Sequence, residues 1–253
     1  MSERDGEGRA EGLEELLLRK LRGVERGLEQ DVERAVPAWL RETPGESRWA
    51  VSFTIVVAMV LQVLLPDRFA VQPRWVLLGL QVVLLVGVVV ANPIRIERPS
   101  TLGRTASLGL TLLFTAANAW SAGRLVVALV NGTAGDRAGP LLASGAAIWL
   151  TNVAVFALWY WEFDRGGPVT RARGTRRYPD FLFTQMTTPE LVPPEWEPTF
   201  TDYFYLSFTN ATAFSPTDVL PLTRWAKLTM MAQSAVSLVA VALVVARAVN
   251  ILK

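Results

Sequence analysis

Within the stretch Thr212-Ala213-Phe214-Ser215-Pro216-Thr217-Asp218 the hydroxyls of Thr212, Ser215 and Thr217 come close in sequence to one carboxylate, Asp218. Oxygen donors of this kind suit a cation that keeps part of its hydration, and a symmetric ring of Asp218 carboxylates would favour cations over anions. Other chemistry is narrowly bounded. The chain has no Cys and no His, which excludes disulfides, thiolate nucleophiles, His-ligated haem, Cys- or His-ligated zinc, and Ser-His-Asp or Cys-His catalysis. Carboxylates at metal or phosphate spacing are absent from the helices, so neither enzyme activity nor a cofactor is expected. A net charge of +2 gives no argument for nucleic acid.

Four further polar residues sit inside apolar runs: Asn118, Arg124, Asn152 and Gln233. Ionisable or amide groups at membrane depth point by default to a path or a site. The plainer readings are hydrogen bonds between helices for the amides and snorkelling for Arg124, near its helix end. Asp218 has a plain reading too, as a turn or capping residue. Asp202, with Thr201, reads first as a cap of the helix that carries Tyr205, Ser207 and Asn210. The C-terminal partial charge of that helix would point at the hydroxyl-rich stretch and favour a cation there.

The elements that must position these residues are membrane helices. Hydrophobic residues are 51% of the chain and mean hydropathy is +0.30. Several apolar runs approach the roughly 20 residues that a spanning helix needs. The expected fold is an all-α membrane protein of about five transmembrane helices with a re-entrant helix and loop. In chain order, 1–12 reads as a disordered tail. Residues 13–36 read as an amphipathic helix, with Leu13, Leu17, Leu21, Val24, Leu28 and Val32 on one face, lying at the interface or pairing as a short coiled coil. It opens a cytoplasmic or interfacial segment, 13–48. Spanning helices follow at 49–65, 75–91, 106–130 and 141–161. The fourth ends in Trp159-Tyr160-Trp161, read as an aromatic belt at headgroup level. Residues 162–198 read as a loop, basic and then proline-rich, with Glu162 and Asp164 near water. The aromatic helix 200–210, the polar stretch and a last spanning helix, 222–250, close the chain. Non-helical backbone at membrane depth is tolerated only where protein or water shelters it, so the polar stretch is expected in a pore or polar cavity.

Arginine and lysine near helix ends set orientation. An inside N-terminus places Arg34, Arg41, Arg48, Arg95, Arg98, Arg104, the arginines from 165 to 177, Arg224 and Lys227 in the cytoplasm. The outer side then holds Arg68, Arg74, Arg137, Arg247 and Lys253. The re-entrant segment would enter from the cytoplasmic side of a bacterial-type inner membrane.

The end of the chain resembles the pore of tetrameric pore-loop channels, of which potassium channels are best known. Those carry a pore helix, a T-T-V-G-Y-G-D filter, a proline-threonine step and an inner helix. Thr212 to Asp218 falls in the same register, followed by Pro221-Leu222-Thr223, but Ser215 and Thr217 stand in the glycine places and Pro216 in the tyrosine place. Glycines give a filter backbone angles that other residues rarely adopt, and Pro216 holds Ser215 extended. A dehydrating carbonyl ladder is therefore not expected, and neither is strong potassium selectivity. The chain is also similar to a family of bacterial multi-pass membrane proteins known as a domain of unknown function. The likeness lies in Asp202-Tyr203-Phe204-Tyr205-Leu206-Ser207-Phe208, in Thr212 with Thr217-Asp218-Val219, in Ala248-Val249-Asn250-Ile251, and in Phe156-Ala157-Leu158-Trp159-Tyr160. It implies a fold rather than an activity.

The readings that follow are a weakly selective cation channel, homotetrameric because one copy of the motif cannot close a pore; a transporter or small-molecule-binding bundle with a midplane cavity; and a channel relative that no longer conducts and acts as a scaffold. The expected partners are the lipid bilayer, further copies of the chain and inorganic cations.

Overall fold

A computed structural model describes residue 20 and residues 36–96, 99–213 and 218–251. The amphipathic helix expected at 13–36 lies outside these apart from its residues 20 and 36, and so do Phe214, Ser215, Pro216 and Thr217. The chain is mostly helical, with four helices long and apolar enough to cross a membrane: α2 (Arg74–Ala91), α3 (Thr101–Val130), α4 (Ala138–Phe163) and α8 (Arg224–Ile251). These are the helices of an all-α membrane protein. A shorter apolar helix, α1 (Trp49–Leu64), precedes them. Between α4 and α8 lie the short helices α5 (Pro168–Ala172) and α6 (Thr184–Thr187), and the longer α7 (Phe200–Ala213).

Successive long helices alternate in direction. Strand β1 (Glu46–Ser47) pairs antiparallel with β2 (Arg95–Ile96), which brings the end of α2 back to the start of α1. At the opposite end Arg124 of α3 donates to the Arg68 carbonyl, 3.1 Å away, in the turn after α1. Helix α4 is the centre of the bundle: 61% of its most apolar stretch is buried, against 11% for α2. It packs against α1, α3, α7 and α8. Gly145 makes the α4–α8 approach possible, since a Cβ there would lie 2.8 Å from a methyl of Val244.

The segment after α4 is a packed module rather than a loop. Helix α4 ends where Arg165 turns left-handed (φ 52°) ahead of Gly166 and Gly167. Pro168 then opens α5, where its missing N–H has no helical partner to lose. Strand β3 (Phe181–Phe183) pairs antiparallel with β4 (Val219–Pro221), Phe183 facing Val219. The Trp159-Tyr160-Trp161 group is not a headgroup belt: Tyr160 and Trp161 are buried. Tyr160 meets Phe181 edge-on at 5.1 Å and Trp161 meets Phe200 at 5.9 Å. Hydropathy could not anticipate this, because the aromatic partners arrive from β3 and α7 more than 20 residues later in the chain. Glu162 and Asp164 are likewise buried, not near water.

Candidate functional site

Helices α7 and α8 start at the same end of α4 and run side by side. At the root of α7, Thr199 and Asp202 cap the helix: the Asp202 carboxylate accepts from the Thr199 backbone N–H at 2.8 Å and from its hydroxyl at 2.9 Å. The Phe200 N–H donates to the Glu46 carboxylate, and the Tyr203 hydroxyl donates to Asp164 at 2.5 Å. At the root of α8, Trp225 donates its indole N–H to Asp180, 2.8 Å away. The Asp180 N–H in turn reaches Asp164 at 2.8 Å. Further along, Phe208 stands edge-on to Trp149 of α4 at 5.7 Å, and Ser207 donates to the Val153 carbonyl at 2.6 Å. Strand β4, between the two helices in sequence, is back beside β3. Fourteen residues of α7 carry the chain about 21 Å along α4 at 1.5 Å per residue, and β4 stands at the end from which α7 set out.

The polar residues on these helices form a buried network. Gln233 accepts from Tyr160 at 2.6 Å and from Asn210 at 2.8 Å. It donates to the Ser207 hydroxyl at 2.7 Å and the Ser207 carbonyl at 2.9 Å. Asn210 also donates to the Met230 carbonyl at 3.0 Å, and Asn152 to the Ser237 hydroxyl at 3.0 Å. The structure thus brings Ser207, Asn210 and Gln233 together, with Asn152 nearby, as cross-links between α4, α7 and α8. Asn118 is buried on α3. Arg124 is exposed at the far end. Thr212 turns its hydroxyl back to the Phe208 carbonyl at 2.7 Å. Tyr205 is half exposed on α7 and donates its hydroxyl to Asp218 at 2.7 Å. The Asp218 backbone carbonyl accepts from Thr184 at 2.7 Å.

Sequence reasoning missed an acid–arginine knot where α4, α5 and α7 meet. Asp164 accepts from Tyr203 and from the Asp180 and Phe181 N–H groups. Buried Arg171 donates to the Trp161 carbonyl at 2.5 Å and the Asp164 carbonyl at 3.0 Å, and lies 4.9 Å from the Tyr203 ring centre. Arg165 donates to the Trp39 and Arg176 carbonyls. Glu46 accepts from the Trp161 indole at 2.7 Å. Burial pushes the Glu46 carboxyl above its ordinary range, against the pull of Arg171 and of the Trp161 and Phe200 N–H groups. The available signal was two acids placed directly after an apolar helix and ahead of a glycine pair, Glu162-Phe163-Asp164-Arg165-Gly166-Gly167.

Beside the knot, α1 to α5 line a half-open cavity of about 580 Å³. Arg48, Arg104, Arg173, Glu162, Ser107 and Asn92 line its polar part, and Val51, Ile55, Val88, Leu110 and Leu158 its apolar part. Among the described residues no group of three acids is placed to hold a metal ion. Comparison of the chain with protein-family models, with curated proteins and with solved structures finds no match.

Proposed function

We propose that this chain is a pore-loop membrane protein, with five crossing helices including α1 and with α7 as a re-entrant pore helix. It would assemble as a homotetramer around the α7–α8 hairpins and pass cations with little preference for potassium. The reading is supported by one arrangement: α7 and α8 leave the same end of α4 in the same direction, while β4 is back at that end. A chain that dips in, returns and then crosses is the plan of a pore loop. The exposed α7 face carries Thr201, Tyr205, Phe208 and Thr212, an amphipathic stripe suited to a neighbouring subunit. Asp218, also exposed, follows Phe214, Ser215, Pro216 and Thr217 and would present the carboxylate ring. The N-terminus is cytoplasmic in this proposal, because α4 ends in the arginine-rich pole. The likeness to the bacterial multi-pass family belongs to the same proposal.

The cavity beside Glu162 favours a second reading, a small-molecule-binding or transporting bundle. Image reconstruction of the purified assembly separates the two. Fourfold particles with α8 nearest the axis, together with sodium and potassium flux into vesicles, support the pore loop. A monomer that gives no flux overturns it, and a silent tetramer leaves the scaffold reading.

A further inference from the structure

The half-open cavity at the arginine-rich pole carries an excess of positive charge. Its charged lining is Arg48, Arg104, Arg173 and Glu162, three cations against one acid. The acid is withdrawn. Glu162 is 4% exposed, its Oε2 is buried, and it already lies in the fields of Arg171, Arg104 and Arg48. The cations are not matched in the same way. Among the described residues the ion pairs are Arg74–Asp67 and Arg247–Asp136, both elsewhere in the fold. Arg104 and Arg173 are exposed at the mouth, and Arg104 is steadied by its bond to the Gly166 carbonyl at 2.7 Å. Arg48 is buried, so it adds charge to the cavity without touching a ligand.

The start of α3 adds to that charge. Ser100, Thr101, Gly103, Arg104 and Thr105 line the cavity. The Ser100 hydroxyl accepts the Gly103 N–H at 3.1 Å, which leaves the N–H groups of Thr101 and Leu102 without a helical partner. A 30-residue helix presents a partial positive charge at this end, where anionic oxygens are favoured. The opening lies beside lipid. Thr105 is exposed and lines the cavity. It shares a helix face with Leu102 and Leu112, which are 66% and 60% exposed. Inside the mouth the lining is apolar, with Val51, Ile55, Val88, Leu110 and Leu158. The complement is an anionic oxygen group joined to an apolar chain.

We infer that this cavity holds a phospholipid of net negative charge from the surrounding leaflet. Its phosphate sits at the mouth, between Arg104, Arg173 and the first turn of α3, and its upper acyl chain runs inward over Ile55, Leu110 and Leu158. The excess positive charge of the lining selects the lipid, and no amine is needed. A zwitterionic lipid brings an ammonium among the arginines and cancels what its phosphate gains there. The site is independent of the pore-loop reading, since it uses no residue of α7 or α8.

The test is native mass spectrometry of the full chain released from vesicles containing equal parts of phosphatidylglycerol, phosphatidylethanolamine and phosphatidylcholine. Retention of one phosphatidylglycerol per chain, in preference to both zwitterionic lipids, is expected. Arg173→Gln removes an exposed charge at the mouth and should cut that preference about fivefold, the worth of one arginine near an anionic headgroup, while leaving the melting temperature of lipid-free protein unchanged. Glu162→Gln removes the acid of the lining and should keep the preference or raise it. Inorganic phosphate in excess should not displace the lipid. Equal retention of the three lipids overturns the assignment, and so does an unaltered preference in Arg173→Gln or a lowered one in Glu162→Gln. Displacement by inorganic phosphate would give the site to a soluble anion and overturn the lipid as its occupant.

Discussion

The Tyr203 hydroxyl donates to the Asp164 carboxylate across 2.5 Å. This contact ties the first turn of α7 to the residue at which α4 stops. Asp164 also accepts the N–H groups of Asp180 and Phe181, so one buried carboxylate fixes the root of α7 and the strand against which β4 returns. Tyr203→Phe removes a donor to a buried charged group, at about 1.5–3 kcal/mol. A fall of several degrees in the thermal midpoint of detergent-solubilised protein is expected, and an unchanged midpoint would contradict the anchoring role.

Gln233→Leu should act on packing rather than permeation. The substitution strands Tyr160, Asn210 and Ser207, all of which it now bonds. A loss of about 0.6–2 kcal/mol is expected, the range for hydrogen bonds between membrane helices. Scanning calorimetry would register it, while ion preference in vesicle flux should stay as in the parent. A changed ion preference would move Gln233 onto the permeation path.

Asp218 should matter to conduction through its charge. Asp218→Asn is expected to weaken cation conductance in bilayer recordings. Tyr205→Phe frees the Asp218 oxygen that Tyr205 now holds at 2.7 Å, and should leave conductance equal or higher. Unchanged conductance in Asp218→Asn removes this carboxylate from the mechanism.

Glu46 gives the protein a pH dependence of definite sign. Its folded-state pKa is raised above the ordinary 4.5, chiefly by burial. The folded state therefore holds the proton to higher pH than the unfolded chain does. Stability from this group is complete below pH 4.5 and is lost as pH rises through the raised value. Melting temperatures taken from pH 4 upward should decline over that window, and Glu46→Gln should flatten the decline. An identical slope in the variant would show that other groups cause it.

Much of the helical frame was legible because a bilayer imposes it: apolar runs of near-spanning length, broken at Pro66, Asn92-Pro93 and Asn131-Gly132, lie in α1 to α4 and α8. The capping pair at the start of α7 was half legible, with Asp202 expected and Thr199 supplied by the structure. What escaped was everything made by distant partners. Arg165 and Arg171 counted as loop charges because nothing local distinguishes a solvated arginine from one buried against Trp39 or Tyr203. Glu162 sits one turn after Leu158, so its place in a cavity depends on α1 and α3 packing beside it.

A pore loop requires the chain to enter and leave α7 from one side of the membrane. The chain has no cysteine, so single cysteines can be placed without a background. Glu195 before α7, Leu222 after β4 and Asn250 near the end of α8 are all exposed. With a membrane-impermeant thiol reagent on sealed, oriented vesicles, Glu195→Cys and Leu222→Cys should react from the same face and Asn250→Cys from the other. Reaction of Glu195→Cys and Leu222→Cys from opposite faces would contradict the re-entrant plan.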